Sequence, residues 1–219
     1  MRRALAALLL AGTAAAADGP PAFSLHGLDG WEQQSFRDPA TLQLHKLTRY
    51  SVADDGGVKV VAAQCDDTGS GEAWRGTVDL RRTPVLHWRW KVDRIYPGLD
   101  ERVRGGSDFP ARIYAVTGSR WLPWTIKGLI YVWANGTQQA ASWPSPYSGA
   151  AGEGMIVPVR SGADGVGQWQ EQSRDVRADF KRFFGVDADK LGGVAIVTDC
   201  DDAHGQANTW YGDLRFDVN

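Results

Sequence analysis

The residues of this sequence best suited to chemistry lie near its end, in the run Asp199-Cys200-Asp201-Asp202. Three carboxyl groups and a thiol follow an apolar run and precede a loop that contains glycine, histidine and asparagine. Carboxylates that lie close together repel one another, so such a cluster needs a cation, a polar ligand or proton-transfer chemistry to stabilise it. This run is therefore the first place to look for a site.

Strand alternation predicts which other polar side chains accompany these acids. Side chains two residues apart on a strand share a face, so Asp199 and Asp201 point one way and Cys200 points the other way. If the predicted strands are neighbours, one sheet face gathers the candidate ligand-binding residues Asp108, Arg112, Tyr114, Tyr131, Trp133, Asp199 and Asp201. This mixture suits a sugar, because aromatic rings stack on its C–H faces while charged groups hydrogen-bond its hydroxyls.

The same residues have a purely structural interpretation. A buried charge must be paired, so Arg112 is equally suited to be the ion-pair partner of one of the aspartates, holding two strands in register. In that case the polar residues form a dry internal network, and the protein is a structural or interaction protein of the cell envelope.

Glycoside hydrolysis is a further alternative, with catalytic carboxyls drawn from Asp108, Asp199 and Asp201. It needs two carboxyls about 5–5.5 Å apart for retention or about 6.5–9.5 Å apart for inversion. Strand rise spaces residues 199 and 201 by about 7 Å. The set contains no glutamate, which weighs against catalysis, so the sequence favours binding without chemistry.

No cofactor is predicted, but calcium is an open alternative. Its candidate ligands are Asp201, Asp202 and Asp213, with Asp66 and Asp67 as further oxygen donors. An EF-hand is excluded, because the order of ligands that its loop requires is incomplete here.

Composition and motifs exclude several other function classes. The chain has 24 basic and 26 acidic residues and no basic stripe, so nucleic acid is not an expected partner. The nucleophile elbow, the His-Glu-x-x-His zinc motif, the phosphate-binding loop and the dinucleotide fingerprint are all missing from the sequence.

The beginning of the chain is typical of a bacterial export signal. Arg2 and Arg3 precede an apolar stretch, and small residues follow at Ala14 to Ala17. We expect residues 1–17 to be removed, leaving a single domain, residues 18–219, in the periplasm or outside the cell. No other apolar run is long enough for a membrane span, so insertion into a membrane is not expected.

Two cysteines, Cys65 and Cys200, are present in this exported chain. Each follows an apolar run and precedes Asp-Asp. In an oxidising compartment the default interpretation is one disulfide, worth about 4–5 kcal/mol in the loop-entropy model, and two separate buried thiols are the alternative.

Short alternating runs between turn residues predict an all-β fold of eight or nine strands. The predicted strands are residues 42–50, 58–65, 85–92, 109–117, 128–135, 154–160, 194–199 and 210–218. One helix is expected near residues 175–184, where apolar residues recur with helical spacing before Gly185. This pattern predicts an antiparallel two-sheet β-sandwich resembling a jelly roll.

Two loops rich in aromatic residues accompany these strands, Trp121 to Trp124 and Trp143 to Tyr147. Exposed, they would be a patch for a ligand or a partner. We favour the interpretation that both loops cap the core.

The sequence resembles a bacterial exported family known as domain of unknown function 3047. The matching segments are Leu86–Val92, Ser107–Tyr114, Ile130–Asn135, Trp169–Phe184, Val197–Asp202 and Trp210–Phe216. The resemblance implies a β-sandwich similar to carbohydrate-binding modules and implies no known activity. In that family the positions of Cys200 and Asp202 are usually threonine and asparagine. The departure at Cys200 supports a disulfide with Cys65.

Overall fold

The computed structural model describes residues 19–35, 46–119, 121–136, 141–150 and 152–218. The predicted signal, residues 1–17, lies outside these residues, as do residues 42–45 of the first predicted strand. Within the described ranges the strands are β1 (Glu32–Ser35), β2 (Arg49–Asp55), β3 (Val58–Asp66), β4 (Gly69–Asp79), β5 (Val85–Val92), β6 (Arg112–Ser119), β7 (Leu122–Ala134), β8 (Trp143–Pro144), β9 (Glu153–Ser161), β10 (Gln170–Asp175), β11 (Lys190–Asp199), β12 (Gln206–Tyr211) and β13 (Arg215–Asp217). The α-helices are α1 (Phe23–His26) and α2 (Val176–Phe184), and residues Arg104–Gly106 form a 3-10 turn.

These strands form the predicted two-sheet sandwich. One sheet has seven strands in the order β1-β4-β11-β6-β7-β9-β8, and the other has six, β10-β5-β12-β3-β2 with β13 paired to β5. The described pairs are antiparallel except β7 with β9, which run parallel. The sequence predicted too few strands. It missed β1, β4, β8 and β10, and it merged β12 with β13. In β4, Gly69, Gly71 and Gly76 hide the two-residue alternation.

Strand β5 shows why the two sheets pack together. Trp88, Trp90 and Val92 alternate with polar residues and are buried in the core. The Trp88 ring lies 5.5 Å from that of Trp90 and 5.4 Å from that of Tyr131 on the opposite sheet. Packed aromatic side chains contribute large buried areas, so these residues hold the two sheets together.

Helix α2 is confirmed at the predicted position. Asp175 caps its start by accepting a hydrogen bond from the Ala178 N–H at 2.8 Å. Gly185 ends it with a φ of 69°, a left-handed conformation that glycine adopts without a steric penalty. Val176 and Phe180 are buried, so one face of the helix packs on the core.

The predicted disulfide between Cys65 and Cys200 is present, with Cα atoms 6.2 Å apart. It joins the end of β3 to the loop that follows β11. The Cys200 N–H donates to the Thr68 carbonyl, and the Asp67 N–H donates to the Gly205 carbonyl, each at 2.9 Å. The disulfide and these hydrogen bonds therefore fix the position of Cys200, directly before Asp201 and Asp202.

The two aromatic loops behave differently from each other. Trp143 is buried and caps a small apolar cluster, as predicted. Trp121 and Trp124 are 78% and 64% exposed at the β6–β7 hairpin, so the prediction that they cap the core was wrong. Among the described residues, no helix has the length and apolar character needed to cross a membrane.

Candidate functional site

The outer face of the seven-stranded sheet carries the candidate site. Part of this face is covered by an apolar cluster in which Phe109 packs against Trp143. Beside that cluster lies a cavity of about 490 Å³. Its lining residues are Ser35, Asp108, Arg112, Tyr114, Val116, Ile126, Gly128, Ile130, Ser145, Tyr147, Ser148, Gly152, Glu153, Gly154, Asp199, Asp201 and Asp202.

Strand register explains why polar residues from distant parts of the chain meet in this cavity. On β6 and β11, Arg112 lies opposite Val197, and Tyr114 lies opposite Ala195. Directly opposed residues share a face, and Asp199 follows Val197 by two residues, so it joins Arg112. The structure thus brings together five of the predicted residues: Asp108, Arg112, Tyr114, Asp199 and Asp201.

Tyr131 and Trp133 do not belong to this set. Arg112 on β6 pairs with Val132 on β7, so the tyrosine and the tryptophan lie on the opposite face of the sheet. Both are fully buried in the main core. The Tyr131 hydroxyl donates to Asp179 Oδ2 and the Trp133 Nε1–H donates to the Gly162 carbonyl, each at 2.9 Å. Alternation within a strand does not define register between strands, which is why this assignment was wrong.

Arg112 and Asp199, which both line the cavity, form a buried ion pair. Arg112 is 4% exposed and Asp199 is 6% exposed. The Phe109 N–H donates to Asp199 Oδ1 at 3.0 Å, and Arg112 Nη2 donates to the Ser107 carbonyl at 2.8 Å. For this pair, the structural interpretation of the sequence fits the geometry. Asp108, Asp201 and Asp202 line the same cavity.

Asp108 lies in the loop before β6 and is almost completely buried. Its Oδ2 accepts a hydrogen bond from the Ala203 N–H at 2.8 Å. Burial raises the pKa of this carboxyl to about 7, and the charges of Asp201 and Asp202 add to the rise, while the Ala203 N–H and Arg112 oppose it. Asp108 is therefore a group that gains or loses a proton near neutral pH.

A buried hydrogen-bond network, which the sequence did not reveal, positions Asp108. Asn135 Nδ2 donates to the Asp108 carbonyl at 2.8 Å and to Glu101 Oε1 at 2.9 Å. Asn135 Oδ1 accepts from the Tyr96 N–H at 2.8 Å. Burial raises the pKa of Glu101, and hydrogen bonds from Asn135 oppose the rise. In the sequence, the sign of this network is Asn135, a single amide side chain at the end of an apolar strand.

Tyr147 forms part of the cavity wall and was also missed as a site residue. Its hydroxyl donates to the Arg104 carbonyl at 2.9 Å, and Arg104 Nε donates to the Pro146 carbonyl at 3.0 Å. Burial raises the pKa of Tyr147 to about 12, with Asp202 as the next cause. The Tyr147 side chain is half exposed, and the Arg104 guanidinium lies 5.6 Å from the centre of its ring.

The candidate calcium ligands are only partly brought together. Asp108, Asp199 and Asp201 each offer a carboxylate oxygen within 4.8 Å of the others. Asp202 lines the same cavity. Asp213 does not, because it lies in the loop between β12 and β13, where its carboxylate accepts from the Ser24 N–H at 2.8 Å. Of these candidates, Asp201 and Asp202 line one cavity and Asp213 lies apart from them.

Asp66 and Asp67, the further calcium donors considered, are bonded elsewhere. Asp66 Oδ1 accepts from Gln206 Nε2 at 2.9 Å, and Asp67 lies 3.1 Å from a ring nitrogen of His204.

Fold and site together define an all-β two-sheet sandwich protein with an acidic cavity on one outer face. The chain belongs to the family described as "Protein of unknown function (DUF3047)", whose model matches residues 29–215. A search of the curated proteins found no match.

Solved structures with a similar arrangement of strands include two glycan-active proteins. One is the xyloglucanase domain of NopAA, a type three effector from Sinorhizobium fredii in complex with cellobiose. It is 9% identical, with 87% of this chain and 95% of that chain covered and a TM-score of 0.48. The other is Trichoderma harzianum endoglucanase 3 from family GH12. It is 6% identical, with 86% of this chain and 98% of that chain covered and a TM-score of 0.42. The strand order itself defines the two-sheet sandwich of this chain.

Proposed function

We propose that this protein binds a carbohydrate or a similar polar small ligand in the cavity on the outer face of the seven-stranded sheet, without chemistry. The observation that carries the proposal is a cavity of about 490 Å³ that combines an aromatic and aliphatic wall with several carboxyl groups. Ligand-binding cavities in proteins are about 300–1,000 Å³ and place a few polar groups in a mostly apolar lining. This cavity fits that description.

Different residues of the lining recognise different parts of the ligand. Tyr114 and Tyr147 offer ring surfaces to the C–H faces of a sugar. Asp201 and Asp202 supply oxygens that accept hydrogen bonds from ring hydroxyls. Arg112 and Asp199, which bind each other, form a rigid end to the cavity. The expected ligand therefore stacks on the tyrosines and directs its polar groups toward the loop after β11.

A glycan array followed by isothermal titration calorimetry tests the proposal. The variants Tyr114→Ala and Asp201→Asn should each weaken binding at least tenfold. Asp213→Asn is the matched control, because this carboxyl lies in the β12–β13 loop and does not line the cavity. If both cavity variants keep the affinity of the unmodified protein, the site is assigned wrongly. If the folded protein binds no glycan at all, the function is wrong.

Hydrolysis of a glycan is the second candidate. The observation that favours it is the proximity of Asp108, Asp199 and Asp201, with the pKa of Asp108 raised to about 7 by burial. A carboxyl that keeps its proton near neutral pH is suited to protonate a glycosidic oxygen, and Asp201 would be the nucleophile.

Binding without chemistry remains the leading proposal, because Asp108, the acid of this candidate, is only 2% exposed and its Oδ2 already accepts from the Ala203 N–H. Incubating the protein with oligosaccharides and measuring new reducing ends separates the two functions. Turnover that disappears in Asp108→Asn would establish the hydrolase.

We also propose that the protein acts outside the cytoplasm. The disulfide between Cys65 and Cys200 supports this location, because disulfides persist in oxidising compartments.

A further inference from the structure

The hairpin between β6 and β7 has an exposed apolar tip, formed by residues 118, 119 and 121–125. Within this hairpin tip, Trp121, Leu122 and Trp124 are 78%, 45% and 64% exposed. Exposed apolar side chains that lie together mark contact sites. We propose that the hairpin tip contacts the surface of a lipid bilayer, with its two tryptophans in the headgroup region. This inference concerns a second surface of the molecule and does not depend on what the cavity binds.

The hairpin tip extends past the strands on either side of it. Among the described residues, β6 pairs with β11 only as far as Val116, and β7 pairs with β9 only from Lys127 onwards. Between these positions the two strands of the hairpin pair with each other, as Ser119 does with Leu122. The exposed side chains therefore lie at one end of the sheet, where an extended surface can reach them.

Hydrogen bonds within the hairpin tip engage both of its hydroxyl side chains. The Thr125 hydroxyl donates to the Leu122 carbonyl at 2.6 Å and accepts from the Ser119 N–H at 3.1 Å. The Ser119 hydroxyl accepts from the Trp121 N–H at 3.3 Å. Residue 123 is proline, which has no backbone N–H. Backbone groups that are bonded within the turn lose less when they leave water, as entry into a headgroup region requires.

The charge of the hairpin also suits a bilayer surface. The chain has 26 acidic and 24 basic residues, yet no acidic residue occurs between Asp108 and Glu153. The sequence from 118 to 125 contains one basic residue and no acidic residue. Anionic headgroups attract basic residues and repel carboxylates, so this part of an acidic chain is the part that can approach a bilayer.

A bilayer fits the hairpin tip better than a glycan or a protein partner does. Tryptophan is enriched at membrane surfaces, where its ring is apolar and its N–H meets water or headgroups. A glycan platform needs polar groups beside the rings to fix the hydroxyls, but both hydroxyl side chains of the tip are bonded within it. A specific protein interface buries about 800 Å² on each partner, more than three side chains supply.

Co-sedimentation with vesicles of mixed phosphatidylcholine and phosphatidylglycerol tests the inference on the exported protein. We expect the unmodified protein to sediment with the vesicles. Trp121→Ser/Trp124→Ser should reduce the bound fraction at least about fivefold, because the interfacial contact is lost. Leu25→Ser/Val218→Ser is the matched control, since it removes two exposed apolar side chains elsewhere. Tyr114→Ala, which alters the cavity, should also leave vesicle binding unchanged.

Tryptophan fluorescence provides a readout that a loss of folding does not imitate. Vesicles with bromine on their acyl chains should quench the emission of the unmodified protein more than that of the serine double variant. Trp121→Phe/Trp124→Phe should keep most of the vesicle binding, because phenylalanine retains an apolar ring, but should lose this quenching. Urea unfolding of each variant verifies that the fold is intact.

The outcomes separate this inference from the proposed function. If the folded, disulfide-bonded protein does not bind vesicles, the inference is wrong whatever the cavity binds. Binding that persists in the serine double variant also overturns it, since another surface is then responsible. If that variant instead loses a hit on the glycan array, the hairpin tip is a sugar platform. If it instead loses self-association in sedimentation velocity, the tip is a contact between two copies of the chain.

Discussion

At the scale of single residues, a buried acid on β4 provides a test of stability. Glu72 lies opposite Ile196 of β11 and is 6% exposed. Burial alone raises its pKa from 4.5 to about 7. An acid whose pKa is higher in the folded state stabilises that state only while protonated, so its contribution is lost as pH rises from about 4.5 through about 7.

We therefore expect the free energy of unfolding to fall across this pH range, with Glu72→Gln removing part of the fall. At pH 8 the variant should be more stable by on the order of 1–3 kcal/mol. Urea unfolding at pH 5 and pH 8 measures both effects. Glu171→Gln is the matched control on an exposed position of β10. A variant with the same pH dependence as the unmodified protein would contradict this account of Glu72.

The Arg112–Asp199 pair gives a second prediction at this scale. Removing one partner leaves the other charge buried and unpaired, which costs about 3–5 kcal/mol. Asp199→Asn should lower the free energy of unfolding by this order. Asp201→Asn should cost less, because Asp201 is only partly buried. Equal losses for the two variants would show that the pair does not stabilise the fold.

At the scale of elements, the sequence predicted faces within strands better than contacts between strands. Alternation placed Arg112 and Tyr114 on one face and Cys200 opposite Asp199, and all of these assignments agree with the structure. Tyr131 was placed on the wrong face, because the register between two strands depends on the long loops and the bulges that bring them together. Local patterns encode the period of a strand, whereas register is set by packing over the whole sheet.

The residues around the cavity also differ in how readily the sequence identifies them. Its acids stand out in the sequence because clustered carboxylates are unusual. Tyr147 does not stand out, because its loop offers no periodicity and its neighbour Trp143 turns into the apolar cluster while the tyrosine turns toward the cavity. Asn135 is equally hard to identify, since its partners Glu101 and Tyr96 come from a separate loop.

The disulfide gives a prediction at this scale. It closes a separation of 135 residues and anchors the loop that carries Asp201 and Asp202. In the loop-entropy model a bridge of this length stabilises by up to about 5 kcal/mol. Cys65→Ala/Cys200→Ala should lose stability of that order in urea unfolding, and its ligand affinity should fall because the acids are less well positioned.

Reduction of the unmodified protein with dithiothreitol is the matched experiment, since it breaks the same bond without changing the side-chain carbon atoms. The two treatments should produce similar losses. A double variant as stable as the oxidised protein would mean that the bridge adds little to the hydrogen bonds around Thr68 and Gly205.

At the scale of the whole molecule, the tryptophans serve different purposes on the two sheets. Trp88, Trp90 and Trp133 are buried between the sheets. On the outer face of the six-stranded sheet, Lys91 Nζ lies 5.2 Å from the Trp169 ring and 4.7 Å from the Trp210 ring. The tryptophans between the sheets therefore build the core, whereas Trp169 and Trp210 make cation–π contacts at the surface.

The last prediction concerns where the molecule folds. If residues 1–17 direct export, the full chain expressed in a bacterial host should appear in the periplasm without these residues and with Cys65 bonded to Cys200. Leu9→Arg places a charge in the apolar stretch of the signal, which export signals do not tolerate. This variant should stay in the cytoplasm at full length, with both cysteines open to alkylation. Leu25→Arg adds the same charge at an exposed position of α1, so it should be exported like the unmodified chain.

Intact mass measured before and after alkylation reports cleavage and disulfide state together. Recovery of the unmodified chain uncleaved from the cytoplasm would contradict the proposed location.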